Sequence, residues 1–348
     1  MIFLYGFVNN WPHSKVAGGS SQDSLICICF SAMISYLLYV TISIVLWMQL
    51  QPTLASVEIT KGINGLDKLV LRQIHGSTVE VYLYGAHVTS WKNDHGKELL
   101  FLSSKAIFSP PTAIRGGIPI IFPQFSNLGP LRSHGFARNR VWTMENNSHP
   151  LQSKPINGVF VDLLLKPTED DLNIWPNRFE YRLRITLGLK GDLIMTSRIK
   201  NTNTDKKQFN FTFAYHNYFR VSNISEVRVE GLGKLDYLDN TQNRTRFTET
   251  RDVITINSEI DRIYLSTPKK LAILDHKKKQ TVSIQKHGLP DAVVWNPWEE
   301  RSKTIVDLGP DDYKSMVAVE ASAIGKPVIL NPGQEWKASQ KLSAVTSH

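Results

Sequence analysis

Hydrophobic and polar residues alternate over long stretches of the chain, and this period of two constrains the fold more than any other feature. In residues 179–189 an apolar side chain occupies every second position, beginning at Phe179, with polar residues such as Glu180 between them. This pattern is typical of a strand with one buried face and one wet face. Two similar runs follow after short turns, at residues 193–199 and 209–215. Long strands joined by short turns predict an antiparallel meander.

The rest of the region after residue 57 also has a hydrophobic period of two rather than 3.6. It contains no sustained helical stripe, no G-x-G-x-x-G motif and no P-loop, so a doubly wound nucleotide-binding fold is excluded. More than a dozen strands in about 290 residues predict an all-β fold, a single large antiparallel β-sandwich over residues 57–348. The further predicted strands are residues 79–84, 88–91, 98–102, 141–145, 158–165, 263–266, 272–275, 281–286 and 292–295.

An apolar segment of residues 25–50 precedes this region, after an N-terminal tail of residues 1–24. A helix needs about 20 apolar residues to cross a bilayer, whereas the core of a signal peptide has only about 7–15. The segment therefore predicts a transmembrane or signal-anchor helix. Two alternatives stay open: cleavage at the small residues 53–55, or an apolar extension joined to a complete soluble domain.

Charge is unevenly distributed along the chain. Lys and Arg number 40 against 31 Asp and Glu, and the resulting net charge of +9 lies entirely after residue 56. A basic surplus suits nucleic acid, anionic lipid or a phosphorylated small molecule. The densest basic run, residues 277–279, has no interleaved aromatic residues, so we predict no nucleic-acid partner. Cys27 and Cys29 are the only cysteines, too few for a disulfide framework or a zinc site.

Two residues stand out as candidates for acid–base chemistry. His216 has the parity of Asn210 rather than that of the phenylalanines in the run 209–215, so it projects from the polar face of that strand. A lone histidine is more often structural than functional, so this position alone decides little. Glu320 ends the apolar run 316–319. Burial there would raise its pKa unless a partner compensates, and glutamate is rarely buried without a role.

Arginines occur beside glycines in two nearby segments, 115–124 and 134–138. Paired glycines let the backbone approach a ligand closely, and the guanidinium of Arg115 or Arg138 presents forked donors suited to phosphate. The alternative is a loop whose arginines cap backbone carbonyls.

Six segments occur in an order that resembles the glucose-6-phosphate 1-epimerases of the aldose 1-epimerase superfamily, and the likeness covers residues 57–338. The resemblance implies a galactose-mutarotase-like β-supersandwich, interconversion of α and β anomers of a hexose 6-phosphate, and no metal or organic cofactor. The segments are RGGIP from Arg115, HGFAR from His134, YHNYF from Tyr215, SEIDRIY from Ser258, VVWNPW from Val293 and VAVE from Val317.

The resemblance also implies roles for individual residues. It makes His216 the general acid and Glu320 the general base. Three further residues are implied to hold the substrate: Asp261 through sugar hydroxyls, and Arg115 and Arg138 as the arginines of the site. Ser133 stands where some relatives carry glutamine, and we include it as a substrate-binding position of shorter reach.

The chemistry of anomer exchange agrees with this set. Opening a cyclic hemiacetal removes a proton from the anomeric hydroxyl and delivers one to the ring oxygen, and one base and one acid suffice. Three rival functions stay open. A glycoside hydrolase would use Asp261 and Glu320 as its two carboxylates. A non-catalytic sugar-binding module would stack its ligand on Trp295 and Trp298, and an aldose 1-epimerase would act on free hexoses. We further expect a monomer, cytoplasmic or anchored to a membrane through residues 25–50.

Overall fold

The computed structural model describes residues 32–43, 55–145 and 158–346. The chain divides into two compact units, Met1–Pro52 and Thr53–His348. In the first unit, residues 32–43 form a helix, α1, whose side chains are mostly exposed. The other residues of the predicted membrane segment 25–50 lie outside the described ranges. Among the described helices, none is long and apolar enough to cross a membrane, so the transmembrane prediction receives no support.

The second unit is built from three antiparallel sheets, which confirms the predicted all-β class. The first sheet has four strands in sequence order. Each strand pairs with the next through a short connection, as expected for consecutive runs of alternating residues. These strands are β1 (Ser56–Lys61), β2 (Asp67–Arg72), β3 (Thr78–Tyr82) and β4 (His87–Lys92).

The second sheet has eight strands and carries most of the residues singled out in the sequence. Its order is β14-β13-β16-β19-β20-β10-β5, with β11 also paired to β20. The strands are β5 (Ile120–Ile121), β10 (Phe209–Tyr215), β11 (Tyr218–Arg220), β13 (Asp236–Asp239), β14 (Thr245–Thr248), β16 (Ile260–Tyr264), β19 (Asp291–Asn296) and β20 (Met316–Leu330).

The third sheet has nine strands in the order β15-β12-β17-β18-β21-β9-β8-β7-β6. Two of the three strands of the predicted meander form its β8–β9 hairpin, but the third, β10, pairs with β20 and β5 in the second sheet, so the three-stranded meander was wrong. The basic run 277–279 lies in the turn between β17 and β18. The strands are β6 (Thr143–Met144), β7 (Gly158–Leu165), β8 (Phe179–Gly188), β9 (Leu193–Asn201), β12 (Val227–Glu230), β15 (Val253–Thr255), β17 (Lys270–Asp275), β18 (Gln280–His287) and β21 (Glu335–Thr346).

Two short helices complete the second unit. Helix α2 (Glu169–Ile174) begins with a capping box, in which the side chains of Thr168 and Asp171 each accept the other's backbone N–H. Helix α3 (Trp298–Lys303) follows β19 directly. This places α3 at one end of the second sheet, beside the last residues of β19.

The main core lies between the second and third sheets. Phe211 and Phe213 of β10 pack edge-on against Trp336 of β21, with ring centroids 5.4 Å and 5.0 Å apart. Phe213 also meets Tyr181 of β8 at 6.2 Å. Because side chains alternate along a strand, the residues between these phenylalanines face the other side of the second sheet. That opposite side is where the candidate site lies.

Two further local predictions were wrong. Residues 98–102 do not form a strand, and make only isolated bridges to Lys92, Gly116 and Phe219. Glu320 does not end its strand, because β20 runs on for ten further residues.

The register between β10 and β20 shifts after Phe211. Pro327 falls in this irregular stretch, where the missing N–H of proline breaks no ladder hydrogen bond.

Candidate active site

A cavity of about 670 Å³ opens on the face of the second sheet that points away from the core, within the size range of small-molecule sites, about 300–1,000 Å³. We call it the candidate-site cavity. All six residues predicted from the sequence line it. Its lining comprises Arg115, Phe125, Ser126, Asn127, Ser133, His134, Arg138, His216, Tyr218, Asn240, Thr241, Glu259, Asp261, Val293, Trp295, Arg301, Ile305 and Glu320.

His216 and Glu320 meet in this cavity. The Nε2 atom of His216 lies 3.2 Å from Oε1 of Glu320, and both side chains are buried. His216 follows the last residue of β10, and Glu320 lies on the neighbouring strand β20, so the pairing of these strands brings together residues 104 positions apart in sequence. Nδ1 of His216 and Oε2 of Glu320 are buried without a hydrogen-bond partner. Each side chain therefore keeps one atom that is free to form a hydrogen bond with a bound molecule.

Asn217 fixes the spacing of this pair. Its backbone oxygen accepts the N–H of Val319 at 3.1 Å, and its Nδ2 donates to the oxygen of Val319 at 3.0 Å. Asn217 follows His216 and Val319 precedes Glu320, so these bonds tie the two chain segments together. Gln340 of β21 holds the amide of Asn217 from the core side through two further bonds of 2.9 Å and 2.7 Å. A satisfied buried network of this kind makes the local structure rigid.

Arg115 reaches His216 through Tyr218. The Nη1 of Arg115 donates to the Tyr218 hydroxyl at 3.2 Å, and its Nε donates to Oδ1 of Asp307 at 3.1 Å. The Tyr218 ring stacks on the His216 ring, with centroids 4.4 Å apart and planes within 5°. Its hydroxyl lies 3.5 Å from Nε2 of His216. Glycine is needed beside Arg115, because a Cβ at Gly116 would lie 2.6 Å from the oxygen of Phe101.

Arg138 and His134 line the cavity beside His216. Arg138 donates from Nη2 to the backbone oxygen of Ser133 at 3.0 Å, while its Nε is buried without a partner. Ser133 thus contacts Arg138 through its backbone rather than its hydroxyl. The Nδ1 of His134 accepts the N–H of Ser126 at 3.1 Å. Its ring lies 5.7 Å from that of His216, and its other ring nitrogen is the donor that remains in the neutral tautomer.

Asp261 lies on β16, and its partner across the ladder is Trp295 of β19. Its Oδ1 accepts a 2.7 Å hydrogen bond from Nδ2 of Asn240. Burial raises the pKa of Asp261 to about 6, although this hydrogen bond opposes the change. Among the described residues, the other carboxylate oxygen of Asp261 accepts no hydrogen bond from a side chain or backbone group.

Charge is unequally distributed across the cavity. Burial lowers the pKa of His216 well below its ordinary value, and the positive charges of Arg138 and Arg115 lower it further. Burial raises the pKa of Glu320 well above its ordinary value, and the carboxylate of Asp261 raises it further. Arg138 also lowers the pKa of Glu320, so its positive charge reaches both groups, whereas Arg115 acts on His216 and Asp261 on Glu320.

Several lining residues were missed in the sequence. His134 and Tyr218 belong to the segments HGFAR and YHNYF, so their motifs contained the information needed to propose them. Asn240 and Arg301 gave no such signal, because they belong to a connection after β13 and to the short helix α3. No three histidine, cysteine, aspartate or glutamate side chains within the described ranges come together as a metal-ligand set.

A second cavity, of about 620 Å³, lies elsewhere in the same unit, along β3 and β4. We call it the second cavity. Its carboxylates are already occupied: Glu80 pairs with Lys68 at 2.7 Å, and Oε1 of Glu98 accepts backbone N–H groups including that of Trp91 at 2.9 Å. Its lining comprises Lys61, Gly62, Ile63, Lys68, Glu80, Tyr82, Thr89, Ser90, Lys92, Glu98, Leu100, Leu102, Phe108 and Arg220.

Comparison with known proteins identifies the family of the chain and agrees with its fold. Residues 67–343 match the family described as aldose 1-epimerase. A Cenchrus ciliaris protein named "Putative glucose-6-phosphate 1-epimerase" is 58% identical over 290 residues, which cover 83% of this chain and 88% of that protein. A Salmonella typhimurium protein with the same name is 31% identical over 240 residues, covering 68% of this chain and 77% of the relative.

Solved structures show the same fold. A crystal structure described as "a putative mutarotase" from Salmonella typhimurium superposes with a TM-score of 0.72 at 26% identity, covering 84% of this chain and 97% of that one. The galactose 1-epimerase of Lactobacillus acidophilus superposes with a TM-score of 0.62 at 15% identity, covering 85% and 100%. The architecture is thus shared well beyond the range of clear sequence similarity.

Proposed function

The chain belongs to the aldose 1-epimerase family, and from that premise we propose that it is an isomerase that interconverts the α and β anomers of a hexose 6-phosphate, with glucose 6-phosphate as the preferred substrate. One observation carries the proposal. A buried histidine and a buried glutamate lie 3.2 Å apart at a cavity that two arginines also line.

The pair can carry out ring opening while it holds one proton in total, on His216 before the step and on Glu320 after it. In the reactive state Glu320 is a carboxylate and His216 an imidazolium. Glu320 takes the proton of the anomeric hydroxyl, the bond between C1 and the ring oxygen breaks, and His216 protonates that oxygen. The open chain then has a carbonyl at C1, Glu320 is protonated and His216 is neutral. After rotation about the C1–C2 bond, the reverse transfers close the ring to either anomer and restore the pair.

The unequal charge of the cavity orients the substrate. In a pyranose, C6 is attached to the carbon next to the ring oxygen, so the 6-phosphate lies on the side of the residue that protonates that oxygen. His216 is that residue, and Arg115 and Arg138 are the cations near it. Charge-assisted hydrogen bonds from these arginines suit a phosphate dianion. The sugar hydroxyls then lie toward Asp261, whose charge acts on Glu320.

The rival functions fit the cavity less well. A non-catalytic sugar-binding module has no need for a histidine and a glutamate that are buried without full hydrogen bonding, because unsatisfied buried groups cost stability. A glycoside hydrolase needs two carboxylates flanking a bond, which leaves His216 without a role. An epimerase of free hexoses would use the same pair, and the two arginines favour the phosphorylated substrate.

A coupled assay tests the proposal. An enzyme that consumes only one anomer of glucose 6-phosphate is supplied in excess, so that anomer conversion limits the rate. Added chain should raise that rate in proportion to its concentration, and should raise it far less with free glucose and the matching coupling enzyme. A rate that does not respond to the chain would contradict the proposed activity.

Membrane attachment through residues 25–50, a cytoplasmic location and a monomeric state remain predictions from the sequence. The membrane prediction is tested by fractionation. The full chain should partition with membranes, and a chain that begins at Val57 should stay in the supernatant and keep its activity. Recovery of both chains in the supernatant would contradict attachment.

A further inference from the structure

The environment of His216 disfavours the protonated form that the proposed mechanism requires. To donate a proton to the ring oxygen it must first be an imidazolium, yet it is buried and cations are its neighbours. Arg115 is one side chain away, since its Nη1 donates to Tyr218, whose ring stacks on His216. Arg138 lines the same cavity, and its Nε is buried without a partner.

The other groups around His216 compensate the charge of Arg115 but not that of Arg138. His134, Trp295 and His87 are neutral neighbours; burial lowers the pKa of His87 to about 4 and that of His134 below its ordinary value. Glu320, 3.2 Å away, is the acidic neighbour, and burial raises its pKa well above its ordinary value, so the cavity disfavours the charged form of both members of the pair. Asp307 is bonded to Arg115, and among the residues that the structure describes no carboxylate pairs with Arg138.

A doubly charged oxyanion between the two arginines would change this balance. Its charge would offset the uncompensated charge of Arg138 in the cavity that His216 also lines, where charges are weakly screened. The imidazolium would then cost less free energy. A hexose without a phosphate would occupy the same cavity and leave Arg138 without a negative partner.

We propose that the oxyanion of the substrate, held by Arg115 and Arg138, activates His216 as the proton donor, so that the two arginines govern the rate of ring opening as well as affinity. The inference rests on the proposed function and extends it. It assigns a further activity to the cavity: conversion of free glucose, accelerated by a separate oxyanion that supplies the missing charge.

The test uses the full chain, free glucose and phosphite, a small dianion that carries no sugar. Phosphite should raise kcat/KM for anomer exchange of glucose by about tenfold or more and in a saturable manner, because each pKa unit regained by His216 increases the imidazolium fraction about tenfold. Potassium chloride at equal ionic strength is the control and should not activate. Arg138→Met should abolish the activation, whereas Arg132→Met should retain it, since Arg132 is an exposed arginine of the same segment outside the cavity.

A second readout does not depend on turnover or on any variant of the arginines. The ring signals of His216 are followed by NMR against pH and identified by their loss in His216→Ala. Phosphite should raise the pKa of His216 in the wild-type chain. Turnover of glucose 6-phosphate without phosphite activation of glucose, or with equal activation by chloride, would overturn this inference alone. Absence of glucose 6-phosphate turnover would overturn the proposed function and this inference together.

Discussion

The two cavities of the second unit are nearly equal in size, about 670 and 620 Å³, yet they differ in how their polar groups are satisfied. In the second cavity, Glu80 and Glu98 have close partners. In the candidate-site cavity, Arg138, His216 and Glu320 each have a buried nitrogen or oxygen atom without a hydrogen-bond partner. Three of the six such atoms among the described residues belong to this cavity and none to the second cavity. Unsatisfied buried groups destabilise a fold, so their presence in this cavity indicates groups kept for a ligand.

The largest difference between the cavities should appear in turnover. His216→Ala removes the proton donor, and we expect it to lower kcat for glucose 6-phosphate by about 10²–10⁴-fold, the usual contribution of a positioned acid. The variant should retain its fold, checked by circular dichroism. Near-normal kcat would remove His216 from the mechanism.

Arg138→Ala should give the next largest effect. Charge-assisted hydrogen bonds contribute about 1.5–3 kcal/mol, so kcat/KM for glucose 6-phosphate should fall by about 10- to 100-fold. The loss on free glucose should be far smaller, and added salt should weaken the wild-type preference for the phosphorylated sugar. Equal losses on both sugars would instead identify Arg138 as a brace for its loop.

The charge of the half-buried Asp261 should lower the free energy of unfolding, and this effect can be measured. Its pKa in the folded chain is about 6 rather than 3.8, so the folded state binds more protons than the unfolded state between these values. The contribution of Asp261 to wild-type stability therefore falls as pH rises from about 4 to 6. Asp261→Asn avoids this loss and keeps an acceptor for Asn240.

In urea denaturation, Asp261→Asn should be more stable than wild type by up to about 3 kcal/mol at pH 8, at about 1.4 kcal/mol per pKa unit. The advantage should vanish near pH 4. Glu230→Gln, a substitution of an exposed carboxylate on β12, is the control and should show no such gain. A gain that is independent of pH would show that the charge of Asp261 is not its cause.

The smallest effect should come from the second cavity. Lys92 and Arg220 line it, and we expect Lys92→Met and Arg220→Met to change kcat/KM for glucose 6-phosphate by less than about twofold, as surface substitutions usually do. Steady-state kinetics decides this. A loss comparable to that of Arg138→Ala would remove the functional distinction between the two cavities.

The sequence predicted part of this arrangement because part of it is local. The period of two in residues 209–215 gave the strand β10 and the face on which His216 lies. The contact with Glu320 depends on the pairing of β10 with β20 and on a register shift after Phe211, and no local pattern encodes either. The same holds for Asn240, which reaches Asp261 from a connection between strands.

One matched pair of substitutions, a glutamate to glutamine change in each cavity, tests whether Glu320 is the catalytic base. Exchange between the α and β anomers of glucose 6-phosphate is measured by NMR for wild type, Glu320→Gln and Glu98→Gln at equal concentrations of folded chain. We expect exchange to be at least about 100-fold slower for Glu320→Gln and close to the wild-type rate for Glu98→Gln. Wild-type exchange by Glu320→Gln, or an equal loss in both variants, would contradict this expectation.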